Sequence, residues 1–205
     1  MKRSVLVATV VGGLIVAAVV IIAFLHVGGA RAGSRDHSGW FLAGSSPKDF
    51  DMIFDRAGAH GGRGCGSLRS KSVRPSGFGT MMQMFQAQKY QGQRVRLPAW
   101  VKSDRVTGWS GVWMRVDGAR SKDPLAFDNM QERPIKGSTS WKRYQVVLDV
   151  APQATNVAFG ILLDGPGRVW IDDVQIEVVN KSVPTTGIAS SGHYPAAPVN
   201  LDFER

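Results

Sequence analysis

The pattern of apolar and polar positions changes twice along the chain and divides it into three parts. A mostly apolar run occupies residues 4–27 and contains no Asp, Glu, Lys or Arg. Residues 67–179 show short runs in which apolar and polar residues alternate, whereas residues 181–205 are rich in Pro, Ser, Gly and Ala. Alternation with a period of two is typical of a β-strand with one buried face. The pattern predicts an apolar helix, an all-β domain and a tail.

Five alternating runs in the middle of the chain predict β-strands. Their buried faces are predicted to consist of Val95, Leu97, Ala99 and Val101; Val112, Met114 and Val116; Tyr144, Val146, Leu148 and Val150; Val157, Phe159, Ile161 and Leu163; and Trp170, Val174, Ile176 and Val178. Residues 80–87 fit one face of a helix as well as a strand. Turn residues separate the runs, so we predict an antiparallel β-sandwich of about eight or nine short strands.

The apolar run at the amino terminus predicts a membrane segment. It is long enough to cross a bilayer, and Lys2 and Arg3 precede it. Residues 30–32 read Ala-Arg-Ala, which matches a signal-peptidase site, so cleavage after Ala32 is the alternative to an uncleaved anchor. Both alternatives predict an extracytoplasmic domain. An uncleaved segment would anchor the domain to the membrane, whereas cleavage would leave it secreted or periplasmic. The predicted divisions are a signal-anchor segment at 1–32, a linker at 33–39, the sandwich at 40–180, and a tail at 181–205 with a candidate edge strand at 200–204.

Composition and charge narrow the class of protein. The 205 residues include 25 Lys and Arg against 16 Asp and Glu, and 43% are hydrophobic, which excludes general disorder. A single cysteine excludes an internal disulfide and any multi-cysteine metal site. The net charge of +9 is spread along the chain. For an exported domain, this charge predicts a carbohydrate or an anionic cell-envelope polymer as partner, besides the membrane at residues 4–27, and no nucleic acid.

Several motifs resemble one family. They are Gly77-Phe78-Gly79-Thr80, Tyr90-Gln91-Gly92-Gln93-Arg94-Val95-Arg96-Leu97, Gly111-Val112-Trp113-Met114-Arg115-Val116-Asp117, Phe127-Asp128-Asn129-Met130, Arg133-Pro134-Ile135 and Val169-Trp170-Ile171-Asp172-Asp173-Val174. Over residues 40–179 the chain resembles bacterial galactose-binding-like, jelly-roll domains of the carbohydrate-binding-module type. Members of this group occur alone or fused to enzymes or transcriptional regulators. The resemblance implies a jelly-roll sandwich with a ligand-binding or accessory role.

The catalytic signatures in the sequence are incomplete. Ser110 lacks the full G-x-S-x-G motif, and the glycine-rich residues 60–66 lack the Gly-Lys-Ser/Thr ending of a phosphate-binding loop. The four histidines show no metal-ligand spacing. The sequence therefore predicts a domain that is not an enzyme.

Two tryptophans on the polar sides of predicted strands are candidates for ligand binding. The first is Trp100, and the second is Trp113. The flanking candidates are Arg94, Arg96, Arg115 and Asp117. Aromatic rings stack on sugar rings and polar groups bind hydroxyls, so this face would bind a carbohydrate or an anionic polymer. If the second layer of the sandwich covers these tryptophans, they belong to the core, as predicted for Trp141 and Trp170. The alternative function is a membrane-anchored protein-interaction or sensory module that binds no sugar.

Asp172 is a candidate metal ligand. The apolar pattern places it on the inward side with Trp170, and a buried carboxylate needs a partner. In similar jelly rolls an acid near this position helps to hold a structural calcium ion, so the resemblance implies calcium here. The alternative is an aspartate bonded to backbone amides or to an arginine.

Overall fold

The computed structural model describes residues 39–56, 58–119 and 123–189. These residues form antiparallel strands and two short 3-10 turns, at Pro47–Asp49 and Ala87–Tyr90. The strands are β1 (Phe41–Gly44), β2 (Phe50–Asp55), β3 (Cys65–Ser70), β4 (Phe78–Gln86), β5 (Arg94–Gly118), β6 (Ala126–Asp128), β7 (Ile135–Asp149), β8 (Ala154–Asp164), β9 (Arg168–Asp172), β10 (Glu177–Val179) and β11 (Ile188–Ala189). The all-β, antiparallel prediction is confirmed, and the ambiguous residues 80–87 belong to β4 except Ala87, which begins the second 3-10 turn.

The strands form two layers that share β5. Sheet I has the order β1-β4-β8-β5-β6-β11, and sheet II has the order β2-β3-β9-β5-β7, with β10 beside the start of β5. Apolar side chains from both layers meet in one core, which includes Leu68, Leu97, Met114, Ile161 and Val169. Each sheet therefore has one face in the core and one outer face, as in a β-sandwich.

A single strand, β5, replaces two strands that the sequence predicts at residues 94–102 and 109–117. It is continuous over Arg94–Gly118, and its register against β7 shifts three times in its middle part. Arg105, in this middle part, has a φ of 49°. Bulges of this kind bend a strand. The bend carries β5 from sheet II to sheet I, so the two predicted runs follow each other along one strand and do not pair side by side.

Trp141 and Trp170, predicted for the core, lie on the outer face of sheet II. In β9 the buried residues are Val169 and Ile171, so Trp170 projects to the opposite side. Trp141 in β7 is only half-buried. The prediction is wrong for Trp170 because the last alternating run is not one strand. Asp173 has a φ of 49°, and the chain leaves β9 there before β10 begins, which changes the positions that face the core.

Some predicted segments fall outside the described residues. They include residues 4–27, expected to form the apolar helix, and the candidate edge strand at 200–204. Within the described ranges, no helix has the length and apolar character needed to cross a membrane. Strand β11, which pairs with β6, lies in the part of the chain predicted to be tail.

Candidate functional site

Three tryptophan side chains lie next to each other on the outer face of sheet II. Trp141 belongs to β7, Trp100 to β5 and Trp170 to β9, and all three are half-buried. In β5 the side chain of Val101 is buried, so Trp100 and Lys102 face outward. Lys102 pairs with Trp170 in the neighbouring strand. We call Trp100, Trp141 and Trp170 the tryptophan surface.

Two cationic side chains lie over the rings of the tryptophan surface. Lys102 Nζ is 5.0 Å from the centroid of the Trp141 ring and 4.5 Å from that of the Trp170 ring. The guanidinium carbon of Arg168 is 4.3 Å from the Trp170 centroid. At these distances a cation is attracted to the electron-rich face of an indole. The two cations therefore help to fix the indoles in place, and Arg168 also pairs with Asp55.

A glycine-rich loop, residues 58–64, lies against this surface. The His60 ring stacks on Trp100 with centroids 3.9 Å apart and an interplanar angle of 15°. The same ring meets Trp141 edge-on at 5.7 Å. Lys102 Nζ donates to a carbonyl oxygen of the loop at 3.4 Å. His60 thus occupies one face of the Trp100 ring, where a flat ligand would otherwise stack.

Two adjacent aspartates at the end of β9 hold this loop. Asp172 Oδ2 accepts hydrogen bonds from the backbone N–H groups of His60 at 2.8 Å and Gly61 at 3.2 Å. Asp173 Oδ2 lies 2.7 Å from His60 Nδ1. The prediction of an inward-facing Asp172 is wrong, because Ile171 takes the buried position and its neighbours in the strand face outward.

The residues around Asp172 do not match the calcium site that the family resemblance implies. Besides the two loop N–H groups, the carboxylate accepts the backbone N–H of Asp173 at 2.8 Å. Calcium takes six or more oxygen ligands, roughly, in protein sites. Across the described part of the chain, no group of three or more His, Cys, Asp or Glu side chains could hold a metal ion. The arrangement is instead the alternative left open by the sequence, an aspartate bonded to backbone amides.

The three arginines predicted to contact a ligand form ion pairs within the domain. The pairs are Arg94 with Asp149 at 2.8 Å, Arg96 with Glu177 at 2.7 Å, and Arg115 with Asp117 at 2.9 Å. Arg94 also donates to the carbonyl oxygens of Lys181 and Val183, at 2.7 and 2.6 Å. Charge-assisted hydrogen bonds of this kind satisfy both partners. Arg94 therefore connects β5 to β7 and to the segment that follows β10, and Arg96 connects β5 to β10. The pair of Arg115 and Asp117 lies within β5.

Trp113 lies on the outer face of sheet I, on the opposite side of the sandwich from Trp100. It is 1% exposed, and its indole Nε1 donates to Thr80 Oγ1 at 2.8 Å. It packs with Met82 and Leu162 in a second cluster of buried residues. A shared surface of Trp100 and Trp113 is not formed, because the bent strand that carries both changes sheets between them.

Sequence reasoning missed most members of the tryptophan surface and its surroundings. For Trp170 a signal exists, since residues 168–172 alternate strictly between polar or aromatic positions and β-branched apolar positions. This short alternation outweighs the longer pattern from which the buried face was predicted. For His60 there is no local signal, because it reaches Trp100 from a loop that is distant in sequence and held by Asp172 and Asp173.

The fold is similar to that of carbohydrate-binding modules of known structure. The CBM22-1 xylan-binding domain from Paenibacillus barcinonensis Xyn10C matches with a TM-score of 0.52 at 12% identity, over 72% of this chain and 90% of that domain. The CBM22-1–GH10 modules of Clostridium thermocellum xylanase Xyn10B match with a TM-score of 0.51 at 13% identity, over 69% of this chain and 26% of that one. At these identities the likeness shows the fold alone: the domain has the β-sandwich of carbohydrate-binding modules.

A curated protein of Bacillus subtilis (strain 168) is similar in sequence. It is named uncharacterized HTH-type transcriptional regulator YbfP, and it is 46% identical over 167 residues, which make up 81% of this chain and 56% of that protein. The chain thus spans little more than half the length of this relative. No family model matches the chain.

The predicted localisation is wrong by this comparison. The sequence predicts a membrane-anchored, extracytoplasmic protein from residues 4–27, whereas the similar curated protein is named a transcriptional regulator. The prediction rests mainly on the length and apolar character of residues 4–27. An apolar run of sufficient length establishes that a helix could reach across a bilayer, but it does not establish where the rest of the chain resides.

Proposed function

We propose that this domain is a non-catalytic carbohydrate-binding domain whose ligand lies on the tryptophan surface. The observation that carries the proposal is the alignment of Trp100, Trp141 and Trp170 on three neighbouring strands, with cations between the rings. Indole rings stack on the apolar faces of sugars, and flanking polar groups bind hydroxyls. Lys102, which forms no ion pair with a residue in the described ranges, favours a polymer that carries negative charge.

Binding at Trp100 requires that His60 leave the ring. The loop that carries His60 contains glycine at positions 58, 61, 62 and 64, so few side chains oppose its movement. Asp172 and Asp173 hold this loop against the sheet through hydrogen bonds to His60 and Gly61. A sugar ring that replaced the imidazole would restore the stacking contact that the loop gives up. The stacked histidine therefore marks a position at which Trp100 accepts a flat partner.

The fold comparison supports this proposal only in general terms. A similar structure is described as a xylan-binding domain, and it shares the sandwich. Because one fold hosts many functions, the argument rests on the tryptophan surface rather than on the architecture.

The curated relative favours a second role. Since that protein is named a transcriptional regulator, the alternative is a sensory or protein-interaction module that binds no sugar. The two roles differ in a single measurable property, which is binding of a carbohydrate by the folded domain.

The test is a binding measurement with one neutral and one acidic polysaccharide, xylan and polygalacturonate, at two salt concentrations. We expect the full chain to bind polygalacturonate more tightly than xylan. The double variant Trp100→Ala/Trp170→Ala should bind about tenfold more weakly or worse, because each lost stacking contact contributes about 0.5–1.5 kcal/mol.

The matched control is Trp109→Ala, which removes a half-buried tryptophan from sheet I. Circular dichroism verifies that each variant is folded. Equal binding by the control and the double variant would contradict the proposed site. Absence of binding to any glycan in a folded sample would favour the sensory or interaction module.

A further inference from the structure

A cleft of about 510 Å³ opens between the two sheets beside the tryptophan surface. Residues of β4 and β8 form its wall on the side of sheet I, and residues of β2, β3 and β9 form the wall on the side of sheet II. Its volume falls in the range of about 300–1,000 Å³ that is typical of small-molecule sites. Asp172 and Asp173 belong to this cleft and also hold the loop on the tryptophan surface, so the two features are neighbours but open to different sides.

The inner part of the cleft is apolar. Met81, Phe159 and Ile171 line it and are buried. Trp40 contacts Phe159 edge-to-face, with ring centroids 5.5 Å apart. Phe54, 36% exposed, lines the cleft from the opposite sheet. These side chains suit a ligand ring with an apolar face.

The three aspartates of the cleft already have partners for their charge or their oxygens. Asp55 Oδ2 accepts a hydrogen bond from Arg168 Nη2 at 3.0 Å. Asp172 binds the backbone N–H groups of the loop, and Asp173 contacts His60. A carboxylate has about four lone-pair sites, so these oxygens can still accept hydrogen bonds from hydroxyl groups. Of the three, only Asp55 forms an ion pair with an arginine of the described chain, Arg168.

Two arginines line the cleft together with these aspartates. Arg56 and Arg63 line the cleft and are exposed, and neither forms an ion pair with a residue in the described ranges. A guanidinium group presents paired N–H donors that fit a carboxylate or a phosphate. Arg56 and Arg63 are therefore the groups of the cleft that can bind an anionic group.

We infer that the cleft binds a small anionic sugar, a monosaccharide that carries a carboxylate or a phosphate group. The sugar ring lies over the apolar inner part, its anionic group contacts Arg56 and Arg63, and its hydroxyls donate to Asp172 and Asp173. This site is distinct from the tryptophan surface, although Asp172, Asp173 and the loop at residues 58–64 adjoin both.

The single cysteine of the chain provides a reporter inside this site. Cys65 lines the cleft and is 6% exposed. Burial raises the pKa of its thiol, and the nearby carboxylates of Asp172 and Asp55 raise it further. The protonated thiol reacts slowly with alkylating reagents. A ligand that covers Cys65 slows this reaction further, and the chain has no second thiol that could confuse the measurement.

The experiment titrates the full chain with glucuronate, glucose 6-phosphate and glucose, and it follows alkylation of Cys65 by iodoacetamide with each sugar. We expect an acidic sugar to bind at least about tenfold more tightly than glucose, because charge-assisted hydrogen bonds are stronger than neutral ones. The acidic sugar should also slow the alkylation. A preference for glucuronate or for glucose 6-phosphate identifies the carboxylate or the phosphate as the recognised group.

The variant Arg56→Gln/Arg63→Gln should lose about tenfold or more in affinity for the acidic sugar. The control Arg74→Gln changes an exposed arginine between β3 and β4, away from the cleft, and should bind normally. Equal binding of glucose, unchanged affinity in the double variant, an unprotected Cys65 or no binding at all would each overturn the inference. Trp141 does not line the cleft, so Trp141→Ala should retain acidic-sugar binding, and its loss there would overturn the claim of a distinct site.

Discussion

Strand β5 carries Trp100 on the outer face of sheet II and Trp113 on the outer face of sheet I, and the surroundings of these two tryptophans differ. Trp100 on sheet II is half-buried, stacks against His60 and has Lys102 two residues away on the same face. Trp113 on sheet I is 1% exposed and donates its indole hydrogen to Thr80. The residue type and the strand are the same. The neighbours decide whether the ring is part of a surface or part of the packing.

The difference between the two tryptophans shows what to look for in a binding face. Around Trp113 the neighbours are apolar, and the polar indole atom has a partner inside the protein. Around Trp100 the stacked neighbour is the His60 ring, which a ligand could replace. An outward-facing aromatic is therefore a candidate for binding only where its partners are themselves exchangeable.

The largest expected effect comes from truncating the two tryptophans. Trp113→Ala should lower the free energy of unfolding by about 3–5 kcal/mol, as is typical of a buried aromatic residue. Trp100→Ala should cost about 1–2 kcal/mol, because less of its apolar area leaves water on folding. Urea denaturation of both variants measures the difference. Similar losses for the two would mean that the outer faces are equally packed.

The next effect concerns the hydrogen bond that fixes Trp113. Thr80→Val keeps the shape of the side chain but leaves the buried indole N–H without its acceptor, at a cost of about 1–3 kcal/mol. Thr107→Val, at an exposed threonine, is the control and should change stability little. If Thr80→Val unfolds at the same urea concentration as the control, the hydrogen bond does not anchor the ring.

A smaller effect is expected for the cation on the tryptophan surface. Lys102→Met removes the ammonium group that lies over Trp141 and Trp170 and should cost about 1 kcal/mol, the magnitude of exposed cation–π contacts. It should also increase amide exchange in the loop at residues 58–61, since Lys102 donates to a loop carbonyl. Lys136→Met, at an exposed position of β7, serves as control. Unchanged exchange would show that Lys102 does not hold the loop.

The sequence predicted the inward faces of β5 well and its path poorly. The apolar positions 95–101 and 112–116 face the core as the alternation requires. The connection between them is polar, and this polarity predicts a break between two strands. In the structure, bulges and the positive φ of Arg105 allow these polar residues to remain in one strand. Alternation reports which side is buried, but it does not report where a strand bends.

The candidate site was predictable only in part, because its contacts connect distant segments. Trp100 was selected from local alternation, and this selection stays a prediction. His60 reaches Trp100 through a loop that Asp172 holds, and no periodicity links these three positions. The arginines selected with Trp100 have acidic partners on other strands or further along the chain, such as Glu177 for Arg96. A sequence shows which side chains could bind a ligand, whereas only the fold shows which of them the protein uses internally.

The smallest expected effect is a dependence of stability on pH that arises from an ion pair in sheet II. Hydrogen bonds from the Arg94 guanidinium lower the pKa of Asp149, at the edge of sheet II, below its usual value of 3.8, although burial of the carboxyl opposes this. A carboxyl with a lower pKa in the folded state stabilises the fold above its unfolded pKa, and this contribution is lost as pH falls through the folded value. Asp149 is half exposed, so solvent screening keeps the effect small. Asp149→Asn should therefore be less stable than the wild type at pH 7, and the two urea midpoints should converge below about pH 4. Parallel midpoints over the whole acid range would show that the pair of Arg94 and Asp149 contributes no pH-dependent stability. The stability of this edge of sheet II would then depend on packing, as it does around Trp113 on sheet I.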